Sequence, residues 1–113
     1  MFDELAERHP DINIIIGHGG NINDGYKDAV EVALKRKNIY LDTSGWCMTS
    51  LGVVEYVVER LGAERVLMGT DFVLLAPAFQ LGPVAYAKIS EDDKRKIMGL
   101  NAVKLFGIKV KTA

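Results

Sequence analysis

The chain of 113 residues contains a single cysteine, Cys47, so it cannot close a disulfide within itself, and this usage fits a reducing compartment. No apolar run approaches the ~20 residues needed to cross a bilayer as a helix. The opening residues, MFDELAERHPD, are acidic and amphipathic, unlike a secretory signal. These absences lead to the expectation of a soluble, cytoplasmic protein with no membrane partner. An excess of either charge is lacking as well: 14 Lys and Arg face 15 Asp and Glu, for a net charge of -1. The basic residues are scattered, whereas a nucleic-acid footprint gathers them on one face. The run Lys35-Arg36-Lys37 reads as the solvated C-terminal end of a helix, where cations suit the dipole. Low-complexity tracts, linkers and internal repeats are missing too, so residues 1–113 are expected to form one unit.

What is present is enough for a core: 49% of the residues are hydrophobic and 26% charged, an ordinary globular balance. Phe2, Leu5 and Ala6 recur at helical spacing, and His9-Pro10 ends that helix because the residue before proline avoids helical angles. Ile12 to Ile16 is too short and too β-branched for a helix and is expected to be a strand buried on both faces. From about Asp24, a stripe of Tyr26, Ala29, Val30, Ala33 and Leu34 predicts a second helix. NIYLDTSG, from Asn38, predicts a second strand. Val54, Val57, Val58 and Leu61 predict a third helix, stopped by Gly62 at a left-handed position. Val66 to Gly69 predicts a third strand, followed by an apolar loop and one or two short helices. Ser90 is expected to cap a helix with Glu91, Asp92 and Asp93 in its first turn. Asn101 is expected to cap a last helical turn that Gly107 closes.

Strands alternating with helices in this way predict an α/β fold with a parallel sheet and right-handed crossovers. Ligands of such sheets gather at the carboxyl ends of the strands. The first strand ends in Gly17-His18-Gly19-Gly20, the second in Asp42-Thr43-Ser44, the third in Gly69-Thr70-Asp71. Polar residues there can be mere caps and turn formers. A histidine and an aspartate on one rim can also bind a metal, polarise a carbonyl or move a proton. A nucleotide-binding α/β module is the rival reading, since glycines after a first strand let phosphate approach a helix N-terminus. Gly17 and Gly19 fit G-x-G-x-x-G, but its third glycine falls on Ile22, and no G-x-x-x-x-G-K-[ST] occurs.

HPDINIIIGHGGN, NIYLDTSG, GAERVLMGTDF and ISEDDKRKIMGLNAVKLFGI together, in this order, resemble the C-terminal segments of the amidohydrolase-related family. Members are metal-dependent (β/α)8-barrel hydrolases and decarboxylases. The resemblance implies that the three strands are barrel strands six to eight, so the chain would be the C-terminal portion of a TIM-type barrel, incomplete by itself. It implies that Asp71 binds the catalytic metal and takes a proton from the attacking water. His18 would ligate a second metal or hydrogen-bond the activated water, with Asp42, Ser44, Trp46 and Phe72 lining a pocket for a small-molecule substrate. His18 and Asp71 would stand side by side on neighbouring strands. The implied cofactor is a divalent metal, zinc foremost, because zinc brings the pKa of bound water to about 7. The family often has proline after the aromatic that follows this aspartate; here Phe72 is followed by Val73.

The resemblance also implies ligands that this sequence lacks, a His-x-His pair and a further histidine. The only histidines are His9 and His18, and His9 precedes the first strand, at the other end of the sheet. A catalytic zinc takes three protein ligands and an open position, so the chain is expected to be inactive alone and to hold no tight metal. Two origins fit: a longer reading frame that has lost its front, or a natural half-barrel. Unpaired outer strands promote association, so self-association or a partner supplying the missing strands is expected. A non-catalytic half-barrel assembly module is therefore the second reading of function.

Overall fold

The structure, a computed structural model, describes residues 1–20 and 24–111. Three strands, β1 (Ile14–Ile16), β2 (Ile39–Asp42) and β3 (Val66–Leu67), form one parallel sheet in the order β1-β2-β3. Helix α1 (Phe2–Arg8) precedes β1, α2 (Gly25–Lys35) follows it, α3 (Val53–Leu61) joins β2 to β3, and α4 (Pro77–Ala85) follows β3. The chain ends in α5 (Glu91–Arg95) and α6 (Asn101–Phe106). No helix among the described residues is long and apolar enough to cross a membrane.

Side chains alternate across a strand, and the register sorts them. Ile14 pairs with Ile39, Ile16 with Leu41, and Leu41 with Val66. Ile16, Ile39, Leu41 and Val66 are buried in one cluster with Val30 and Ala33 of α2, Val54 and Val57 of α3, and Ile97. The opposite face carries Ile15 opposite Tyr40 and Asp42 opposite Leu67. Burial of the first strand on both faces is not what the structure shows: Ile15 is 36% and Ile12 56% exposed. The cluster with the helices lies on the Ile16 side, so Ile15 is left partly open. Ile12 also lies outside the strand, where its carbonyl accepts from Asn38 Nδ2 at 2.9 Å.

Two arginines close the end of the sheet remote from the strand C-termini. Arg36 pairs with Asp3 and, at 3.1 Å, with Glu7, fastening α2 to α1; the basic run is thus not merely solvated. Arg65 donates to the carbonyls of Ala33 near the end of α2, of Arg36 just beyond it at 2.8 Å and of Ile39 at the start of β2 at 2.6 Å, tying the helix end to the sheet. Burial holds its pKa below the usual arginine value.

Ser90 caps α5 as expected, its Oγ accepting from Asp93 N at 3.1 Å. Gly62 follows α3 with φ 93 and ψ 142, a positive φ but not the left-handed helical turn expected, whereas Gly107 ends α6 at φ 61 and ψ 34. Asn101 is not a cap. The chain passes from α5 through a wide helical turn at Lys96–Leu100 into α6, so position 101 is not a helix end. Buried there, Asn101 Nδ2 donates to Ala63 O at 2.6 Å and Val66 O at 2.7 Å. The C-terminal segment is thereby pinned to the start of β3.

Candidate active site

Parallel pairing brings the ends of β1, β2 and β3 to one rim of the sheet. After β1 the chain turns tightly through Gly17–Gly20, with His18 at φ 58 and ψ 23. This left-handed conformation costs a residue with a Cβ roughly 1–2 kcal/mol. Two contacts from the β2 end offset that cost: His18 N–H donates to Asp42 Oδ1 at 2.9 Å, and Cys47 Sγ–H donates to the His18 carbonyl at 2.6 Å.

Asp42 Oδ1 is the hub of the rim. Besides His18 N it accepts from Ser44 N at 3.0 Å and from Ser44 Oγ at 2.6 Å. Ser44 Oγ in turn lies 3.2 Å from His18 Nδ1. The other oxygen, Oδ2, faces the β3 end, since a Cβ on Gly69 would stand 3.1 Å from it and 3.0 Å from Ser44 Cβ. Thr43 completes the seam, donating to Gly69 O at 3.2 Å and accepting from Gly69 N at 3.1 Å. Gly45 gives the imidazole its space. A Cβ there would sit 2.6 Å from His18 Nδ1, and φ 79 disfavours a side chain in any case. Gln80, buried in α4, holds the Gly45 carbonyl through Nε2 at 3.2 Å.

Of the residues singled out in the sequence, His18, Asp42 and Ser44 are in contact. Asp71 is on the same rim, four residues beyond Leu67, the last residue of β3, at φ 54. It is not beside His18 on a neighbouring strand, because β2 lies between β1 and β3. Its side chain makes no hydrogen bond or ion pair among the described residues, while its carbonyl accepts from Leu75 N at 3.0 Å. Trp46 and Phe72, on the loops after β2 and β3, are 67% and 71% exposed, and Trp46 packs edge-on against Phe79 at 5.3 Å. A cavity of about 560 Å³ lies elsewhere, lined by Ile16, Gly20, Ala29 and Val32 among others, and His18, Asp42, Ser44 and Asp71 do not line it. The third glycine position of the dinucleotide pattern, Ile22, lies outside the described residues.

Gly45, Cys47 and Gln80 were not foreseen as parts of the site. A glycine directly after Asp-Thr-Ser at a strand end was the available signal for Gly45. Nothing local marks Gln80, 35 residues away from its partner. As a metal site the described residues are insufficient, with no group of three His, Cys, Asp or Glu placed to hold an ion, where catalytic zinc needs three protein ligands.

Residues 1–108 match the amidohydrolase family model. The chain belongs to the amidohydrolase family. Its fold is shared with solved structures that are TIM-type barrels. The 5-carboxyvanillate decarboxylase of Sphingomonas paucimobilis is similar at 26% identity and TM-score 0.72, over 93% of this chain and 36% of that one. A TIM-barrel protein of Bordetella bronchiseptica aligns at 23% identity and TM-score 0.76, over 94% of this chain and 38% of that one. A dihydroxybenzoic acid decarboxylase of Polaromonas, solved with bound manganese, aligns at 24% identity and TM-score 0.69, over 91% and 36%. This amidohydrolase chain thus spans little more than a third of the length of those structures, and its three βα units are part of a (β/α)8 barrel. No curated protein matches it.

Proposed function

We propose that this chain supplies His18, Asp42, Ser44 and Asp71 to the active site of a metal-dependent hydrolase or decarboxylase acting on a small molecule, with the remaining ligands coming from outside these residues. The observation that carries the reading is the Asp42 hub, which fixes the backbone of His18 and the hydroxyl of Ser44 on the rim where parallel α/β sheets bind ligands. Asp71, without a side-chain partner among the described residues, is available as a ligand or proton acceptor on that rim. The manganese in the Polaromonas relative supports a divalent cation; histidine nitrogen and aspartate oxygen are both donors that zinc accepts. Trp46 and Phe72 offer apolar surface for a substrate with an aromatic or apolar part.

In this reading the chain is inactive alone and associates with a second copy or a partner. The partly open Ile15 and the apolar cavity against β1 favour such packing. The same exposed surfaces, with the incomplete ligand set, also support the second reading, a half-barrel module that assembles without catalysing. Sedimentation combined with calorimetric titration of Zn²⁺ or Mn²⁺ tests the first. Tight, stoichiometric binding is expected only in an assembled form. A stable monomer that binds one ion tightly would refute the need for outside ligands, and an assembly that binds none would favour the second reading.

A further inference from the structure

Ser44 was expected to touch substrate. The geometry points to another role: we propose that Ser44 is a positioning residue that selects the Nδ1–H tautomer of His18 and so leaves Nε2 with a bare lone pair. The hydroxyl has one proton and two contacts, Asp42 Oδ1 at 2.6 Å and His18 Nδ1 at 3.2 Å. An ionised carboxylate can only accept, and an O–H to carboxylate bond of this length falls in the charge-assisted range. The proton therefore lies on the Asp42 side. Ser44 Oγ then presents only lone pairs to Nδ1, and that contact is favourable only if Nδ1 carries the hydrogen.

The surroundings hold this arrangement. Ser44 is buried, its own N–H is bound to the same carboxylate oxygen, and the missing Cβ at Gly45 lets the imidazole lie against it. A free histidine side chain in water favours the opposite tautomer, with the proton on Nε2. A bare Nε2 is the form that can ligate a cation or accept a proton. That use rests on the function proposed above; the tautomer does not, and it is read without metal or substrate.

Long-range ¹⁵N–¹H correlation spectra of the whole, metal-free chain test the assignment at an alkaline pH where imidazoles are neutral. Only two histidines contribute, and exposed His9, whose side chain has no partner among the described residues, is the internal reference. Expected is a His18 pattern protonated at Nδ1 and a His9 pattern protonated mainly at Nε2. Ser44→Ala should convert His18 to the His9 pattern, and Asp42→Asn should give a mixture, because a neutral amide draws the hydroxyl proton less strongly. A His18 protonated at Nε2 in the unaltered chain overturns the proposal, with no variant needed. So does a Ser44→Ala spectrum identical to that of the unaltered chain. Absence of activity or metal binding would leave a confirmed tautomer standing.

Discussion

The backbone N–H of His18 and the carboxylate of Asp42 meet at 2.9 Å, joining the turn after β1 to the last residue of β2. A left-handed histidine is thus supported by a residue 24 positions away, and the support comes from a strand end rather than from the turn itself. Backbone strain of this kind persists where surrounding contacts over-determine it, and such places are often functional.

The strain at His18 is separable from its side chain. His18→Ala keeps the Cβ in the left-handed conformation, whereas His18→Gly removes it, and both lose the imidazole. The glycine variant should be more stable than the alanine variant by about 1 kcal/mol. Urea denaturation of the two, compared at constant slope, measures this difference.

Gly45→Ala places a methyl 2.6 Å from His18 Nδ1 at a backbone φ of 79. The ring must move away from Ser44, and the backbone is strained as well. A stability loss of roughly 1–3 kcal/mol is expected, together with a shift of the His18 ring resonances in NMR. An unchanged His18 spectrum would show that the ring does not lie against Gly45.

Asn101 is the main polar anchor of the C-terminal segment to β3. Replacing it by alanine leaves the buried Ala63 and Val66 carbonyls without this donor. The expected loss is about 2 kcal/mol, the order of a buried group left unsatisfied. Hydrogen exchange should show faster opening of α6 than in the unaltered chain.

Stability should fall in acid through the cluster around Lys96, which pairs with Glu64 at 2.8 Å and with Asp92 and Asp93 at 3.2 Å. The hydrogen bond from Lys96 holds the Glu64 carboxyl below its ordinary 4.5. Asp93 is held below 3.8, first by Ser90 and then by Lys96. Their stabilisation is present above those ordinary values and is lost as pH falls through the lowered folded ones. Lys96 is itself raised above 10.5 by Glu64 first, so its contribution is present below that pH and is lost only in stronger alkali. Lys96→Met should flatten the acid limb of a melting-temperature profile; an acid limb of unchanged depth would place the loss elsewhere.

Much of this was legible in the residues. β-branched runs ending in glycine or polar residues placed the three strands, helical stripes such as Val54, Val57 and Leu61 placed the helices between them, and strand ends located the rim. Ile15 was misread because periodicity cannot say which faces find cover; that depends on which strands and helices lie alongside. Asn101 was misread because a wide turn at Lys96–Leu100 carries the helix past it. The Ser44–His18 contact spans 26 residues, and its consequence depends on distances that no motif spells out. Parallel order was inferable, yet β2 lies between His18 and Asp71, so the outer strand ends are joined through it, Asp42 holding the His18 turn and Thr43 holding Gly69.

The claim on which the functional reading turns is that His18 and Asp71 serve one cation site at a shared rim. Relaxation of NMR signals by substoichiometric Mn²⁺ tests it directly, even where binding is weak. The expected result is selective broadening at both His18 and Asp71, abolished at His18 by Asp71→Asn. Broadening confined to other carboxylates, such as Glu91 to Asp93, or broadening at His18 that survives Asp71→Asn, would contradict it.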